Sequence, residues 1–138
     1  MAKTKTLAKL VDEAAVLLQK LVRLKAADDN GYCRCVSCGD AHHWKEMQGG
    51  HYIPRGKTAT KLMEENIHPQ CPACNGFGMK YGNAEKQYTL HMIDYYGREF
   101  VDRMIVKSAQ KKKYARFEIE DLKKELNEQI REQLERVA

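Results

Sequence analysis

The sequence predicts an α+β fold in which a small, cysteine-clamped ββα core is flanked by helices at both ends. Three observations carry this. Both ends of the chain place apolar residues at i, i+3, i+4 spacing, the period of an amphipathic helix. Residues 32–75 break that period, yet hold all five cysteines, four of the five histidines and the only tryptophan. Four of those cysteines fall into two C-x-x-C pairs. The chain divides accordingly into an N-terminal helix (1–30), a core (31–83) and a helical C-terminal region (84–138), together one domain.

Each element has its own signal. Leu7, Leu10, Val11, Ala14, Leu17, Leu18, Leu21 and Val22 form one stripe, predicting a helix over 4–27. Thr4 or Thr6 is placed to cap it, and "DDNG" ends it. Gly49-Gly50 and Pro54 to Gly56 bracket a short apolar stretch, predicting a β-hairpin across 42–54. Residues 57–70 read as a loop, and a short helix begins near Cys74. Asn83 stands where an N-cap belongs and Gly97 where a helix stops. A further helix covers about 98–110. Ile119, Leu122, Leu126, Ile130, Leu134 and Val137 mark a long final helix over 118–137.

Composition narrows the function. Charged residues make up 31% and mean hydropathy is −0.67, with no apolar run of membrane-spanning length. The first residues show no signal-peptide pattern, so the expected setting is the cytoplasm, a bacterial host's if the chain is phage-encoded. A net charge of +5 permits nucleic-acid binding without demonstrating it. Paired C-x-x-C motifs and an odd cysteine count in such a chain argue for metal over disulfides. Cys35, Cys38, Cys71 and Cys74 make a tetrahedral Zn2+ site. Four thiolates leave no open position, so its role is structural; Cys33 is left over.

Such a clamp brings His51 beside the stretch Asn66–Asn75. A histidine on a strand, a loop asparagine and an asparagine at a helix start follow the order of an HNH, or ββα-metal, nuclease site, with Asn75 in place of the final histidine. The chemistry explains the residue types. A neutral imidazole deprotonates water at working pH, the role expected of His51. Asn66 is expected to orient that ring through its carbonyl. A hard cation, Mg2+ or Mn2+, neutralises charge on the phosphate and prefers oxygen ligands such as the Asn75 amide. Arg55 is placed to hold the phosphate. His68 is ambiguous among phosphate contact, metal contact and packing beside the knuckle. Asn83 is either a plain cap or a second polar contributor to the cofactor site.

The motifs Cys35-Val-Ser-Cys38-Gly, Gly50-His51-Tyr52, Asn66-Ile-His68-x-Gln70-Cys71-x-x-Cys74-Asn75, Gly82-Asn83 and Tyr88 resemble the NinG (Rap) recombination proteins of lambdoid phages. The resemblance runs from about residue 7 to 130. It implies a structure-specific endonuclease that acts on branched recombination intermediates, namely Holliday junctions and D-loops. Set beside longer members, the chain is expected to do without their basic, cysteine-containing N-terminal extension. It also has Gly50 where many HNH nucleases carry an acidic metal ligand, which predicts weak cation affinity.

Branched double-stranded DNA is the expected partner, held mainly through phosphates. Arg55, Lys57 and Lys61 are the candidate contacts beside the site. Lys111, Lys112, Lys113 and Arg116 form a second basic cluster. Two symmetric cuts across a junction favour a homodimer, with the terminal helices as its surface. Other recombination proteins are further expected partners. The rival readings are a DNA-binding module with an inactive site, favoured by Gly50, and a protein-interaction adaptor.

Overall fold

The structure, a computed structural model, describes residues 4–137. Helix α1 (Leu7–Ala26) begins where Thr6 accepts a hydrogen bond from the Lys9 amide at 3.2 Å. Its apolar stripe runs parallel to the final helix, α6 (Arg116–Arg136), with Arg116 at the Lys5 end and Arg136 at the Leu24 end. Leu10, Val11 and Ala14 meet Ile119 near one end. Leu18, Leu21, Val22 and Leu24 share a core with Leu126, Ile130 and Val137 near the other. The two stripes predicted as dimer surfaces therefore cover each other within one chain. Amphipathic helices bury their apolar faces on whatever lies nearest, and here that is the opposite end of the same polypeptide.

The middle segment hangs on this helix pair. Strands β1 (Tyr32–Arg34) and β2 (Ala41–His43) pair antiparallel, with the first cysteine knuckle as their connection. Strand β3 (Gln48–His51) pairs antiparallel with β4 (Ile67–Gln70), in a register of Gln48 to Gln70, Gly50 to His68 and His51 to Ile67. The hairpin expected across 42–54 is thus not formed. Both of its strands exist, but in different sheets. The partner of β3 arrives only after the chain has crossed to Asn66, a long-range pairing invisible to local turn signals.

The segment 57–70, expected as a loop, contains helix α2 (Thr58–Lys61), a 3-10 turn (Glu64–Asn66) and β4. Pro69 disguised the strand, since proline cannot donate to a ladder. In a two-stranded sheet every strand is an edge, and an edge tolerates it. The Pro69 carbonyl instead accepts the Val36 amide at 3.0 Å, joining the two sheets.

After β4 comes a wide helical turn (Cys74–Gly78) continued by α3 (Met79–Tyr81), close to the expected helix start. Helices α4 (Ala84–Tyr96) and α5 (Arg98–Ser108) follow, joined at Gly97, whose φ of 88° only glycine adopts readily. Tyr88, Met92, Val101 and Met104 close over Ile53 in a separate cluster. Among the described residues this is an α+β chain of six helices and two two-stranded sheets.

Candidate functional site

The site begins with the four cysteines. Cys35 and Cys38 lie on the turn after β1, while Cys71 and Cys74 bracket the turn from β4 into the helical segment. Their sulfurs all lie within 4.8 Å of one another, with Cys38 Sγ 3.9 Å from Cys71 Sγ. Zinc–sulfur bonds of about 2.3 Å arranged tetrahedrally give sulfur–sulfur edges of about 3.8 Å. The cluster therefore fits a structural Zn2+. Cys33 points away into the core between α1 and α6, where burial raises its thiol pKa.

This clamp joins the turn after β1 to the end of β4. Because β4 carries β3 with it, Gly50 and His51 come beside Asn75. His51 and Asn75, together with Arg55, line an open cleft of about 1030 Å³. The ring of His51 is buried, and its Nε2 lies 2.9 Å from the Lys61 carbonyl. A carbonyl can only accept, so Nε2 carries the proton and Nδ1 is left as a lone pair. That atom is buried without a hydrogen-bond partner. Burial holds the imidazole below its ordinary pKa of 6.5, against an upward pull from the Lys61 carbonyl, and the charges of Arg55 and Lys61 add smaller downward pushes.

Asn66 does not orient this ring. Its carbonyl oxygen accepts the Ile53 amide at 2.8 Å, and its amide donates to the carbonyls of Ile53 and Thr60 at 3.0 and 3.1 Å. It pins both ends of the loop between β3 and α2. That loop in turn places Lys61, whose main chain performs the job expected of the Asn66 side chain. The ammonium of Lys61 is held by Asp12 at 2.6 Å, so its charge faces α1 and not the cleft.

His68 is not placed for a metal or a phosphate. The Tyr88 hydroxyl donates to the Gly50 carbonyl at 2.7 Å, so His68 Nδ1 must donate to Tyr88, at 3.1 Å. Nε2 then accepts from the Tyr96 hydroxyl at 2.9 Å. Both nitrogens are occupied, and burial holds the ring neutral with its pKa lowered to about 4. The residue supports the backbone of Gly50. Asn83 occupies the N-cap position of α4, but its exposed side chain makes no capping bond and does not line the cleft.

The remaining basic residues fall in two places. Arg55 and Lys57 are exposed on the loop between β3 and α2. Lys111, Lys112 and Lys113 lie on the segment before α6, which docks back on α2. There the Lys112 amide and the Tyr114 hydroxyl donate to Thr58, at 2.8 and 2.5 Å. The second basic cluster is thus continuous with the first through Thr58. Within it, Lys112 also pairs with Glu118 at 3.3 Å and Arg116 donates to the Lys5 carbonyl at 2.8 Å.

Sequence reading passed over several residues of the cleft. Phe77 and Tyr81 are both 73% exposed, with ring centroids 5.0 Å apart, on the rim beside Asn75. Spaced by four on a helix-like segment, they were the available signal. Glu85 also lines the cleft. Gln70, fully buried against Gly50 and outside that lining, stood in the NinG-like motif with no signal of a role of its own.

The comparisons with known proteins meet this picture at the level of the whole chain. No curated protein and no solved structure gives a significant match. The family model described as "Bacteriophage Lambda NinG protein" matches residues 1–136, nearly the full length, and so the chain belongs to the bacteriophage lambda NinG protein family.

Proposed function

We propose that the chain is an HNH-type endodeoxyribonuclease that hydrolyses phosphodiester bonds in branched DNA, with His51 as general base. The observation that carries this is the state of His51. Its Nε2 proton is held by the Lys61 carbonyl, which leaves Nδ1 buried, unpartnered and basic, in a cleft shared with Asn75 and Arg55. Two antiparallel strands followed by a short helical segment, with the histidine on the first strand and the asparagine on the helix, are also the arrangement of a ββα-metal site.

In this reading a water oxygen attacks phosphorus while His51 Nδ1 takes its proton. The bond to the 3′-oxygen breaks, leaving a 5′-phosphate and, after protonation by solvent, a 3′-hydroxyl. Arg55 balances the charge gathering on the non-bridging oxygens. Asn75 is the residue to hold Mg2+ or Mn2+, its amide oxygen being the donor such hard cations prefer. The cation, when bound, stabilises negative charge on the phosphate. Holliday junctions and D-loops are the proposed substrates, with Arg55, Lys57 and the 111–113 lysines as phosphate contacts. A homodimer is proposed for paired cuts, through a surface other than the mutually covered stripes of α1 and α6.

Cleavage of a synthetic four-way junction by zinc-loaded protein with Mg2+ or Mn2+ tests the reading. Wild type should nick near the branch, and His51→Ala should lose at least about 100-fold in rate while binding the junction as before. Junction binding without cutting under every divalent cation would make the chain a binding module. Gly50, which supplies no carboxylate to a cation, is what favours that second reading.

A further inference from the structure

A cation held by Asn75 alone would be weakly bound, and the packing around Gly50 supplies a second oxygen. A Cβ placed on Gly50 would stand 1.8 Å from Gln70 Oε1 and 2.9 Å from Asn75 Oδ1. Two side-chain oxygens therefore crowd one point, and only a residue without a Cβ leaves them room. Gln70 is fully buried, and its Oε1 has no hydrogen-bond partner. With His51 Nδ1, it makes the pair of buried, unpartnered side-chain polar atoms among the described residues, and both belong to the β3–β4 unit.

The orientation of the Gln70 amide is fixed by its neighbours. The Ser37 hydroxyl donates its single proton to the Ala84 carbonyl at 2.8 Å. It can therefore only accept from Gln70, which it does from Nε2 at 2.9 Å. A flipped amide would turn its oxygen on a hydroxyl with no proton to give, so Oε1 must face Gly50. Asn75 Nδ2 donates to Gln48 Oε1 at 2.7 Å, which leaves Oδ1 on the Gly50 side. Two acceptors meet there with no donor between them. The buried Gln70 oxygen carries an uncompensated desolvation cost, which a hard cation with oxygen ligands removes.

We propose that Gln70 Oε1 and Asn75 Oδ1 ligate the divalent cation together, Gln70 supplying from β4 the oxygen that an acidic residue at position 50 would supply from β3. This rests on the cation-dependent reading above. Gly50 then makes room for a ligand contributed by the neighbouring strand. Ser37 lies between Cys35 and Cys38, so the zinc knuckle also aims the ligand of the second metal.

Mn2+ titration of the zinc-loaded protein, followed by the electron paramagnetic resonance signal of free Mn2+, tests this apart from activity. Gln70→Met, similar in size and without an amide, should weaken Mn2+ binding about tenfold or more while zinc content is kept. Gln70→Glu should tighten it, because a carboxylate oxygen replaces a neutral one. Unchanged Mn2+ affinity in both variants would overturn the proposal and leave the Gln70 oxygen to a buried water. Should Gln70→Met fail to fold, Gln70→Glu decides alone. Wild type that takes up no Mn2+, or Asn75→Ala that binds it like wild type, sinks the Asn75 cation reading itself. Loss of binding in Asn75→Ala with wild-type binding in both Gln70 variants sinks only the role of Gln70.

Discussion

Asn66, His51 and His68 show how a side chain's job depends on which of its atoms are already engaged. Asn66 spends no atom on the histidine ring. Its three hydrogen bonds all go to main chain at the two ends of one loop. Asn66→Ala would leave the buried Ile53 amide unpaired, and a loss of about 2–4 kcal/mol in urea unfolding is expected. Under the proposed mechanism His51 acts as a neutral base with a pKa below 6.5, so cutting should rise with pH through a value under 6.5 and stay flat above it. A pH–rate profile at saturating Mg2+ checks this. For His68 the sign is also definite. Its folded pKa is about 4 against 6.5 in the unfolded chain, so between those values the unfolded state binds more protons. Stability from this residue is complete above pH 6.5 and is lost as pH falls toward 4. Wild type should lose about 2 kcal/mol more than His68→Gln between pH 7 and pH 5, by denaturant unfolding at each pH.

The strand β3 holds two glycines in sequence, each serving a different neighbour. A Cβ on Gly49 would lie 2.6 Å from Gln19 Cβ and 2.8 Å from Gln19 Cα, so α1 rests directly on the strand's backbone. Gly49→Ala must push helix and strand apart and should cost about 1–3 kcal/mol, read as a lower Tm, with zinc content unchanged. Gly50 opens toward Gln70 and Asn75 on the other face. The alternation of a strand thus aims one glycine at the scaffold and the next at the site. Neither purpose is written in the dipeptide, which reads simply as a turn signal. Helices were easier to recognise. The boundaries of α1, α4, α5 and α6 lie within three residues of those expected, because their stripes and stops are local properties.

The chain as a whole is held by two closures, α1 against α6 and cysteine pair against cysteine pair. Removing one thiolate should undo the second. Cys71→Ser is expected to lose zinc and unfold the middle segment, with helix content in α1 and α6 partly retained, by zinc assay and far-UV circular dichroism. The fold also brings the basic residues together, since the 110–115 segment is bound to Thr58 beside Arg55 and Lys57. Replacing Lys111, Lys112 and Lys113 by alanine should weaken junction binding and lower the slope of log affinity against log salt by up to about three, one for each phosphate no longer neutralised.

Residue chemistry and local periodicity were enough to identify the four clustered cysteines, the terminal helices and the histidine on its strand, while a resemblance of motifs pointed to the family. These rest on spacing along the chain, which the sequence states directly. Three things depended on folding: the pairing of β3 with β4, the Lys61 carbonyl behind His51, and the meeting of Gln70 with Asn75 across Gly50. Each involves a backbone group or an amide whose partner lies on another element. Such groups are present at nearly every position, so only their placement in space makes one of them part of a site.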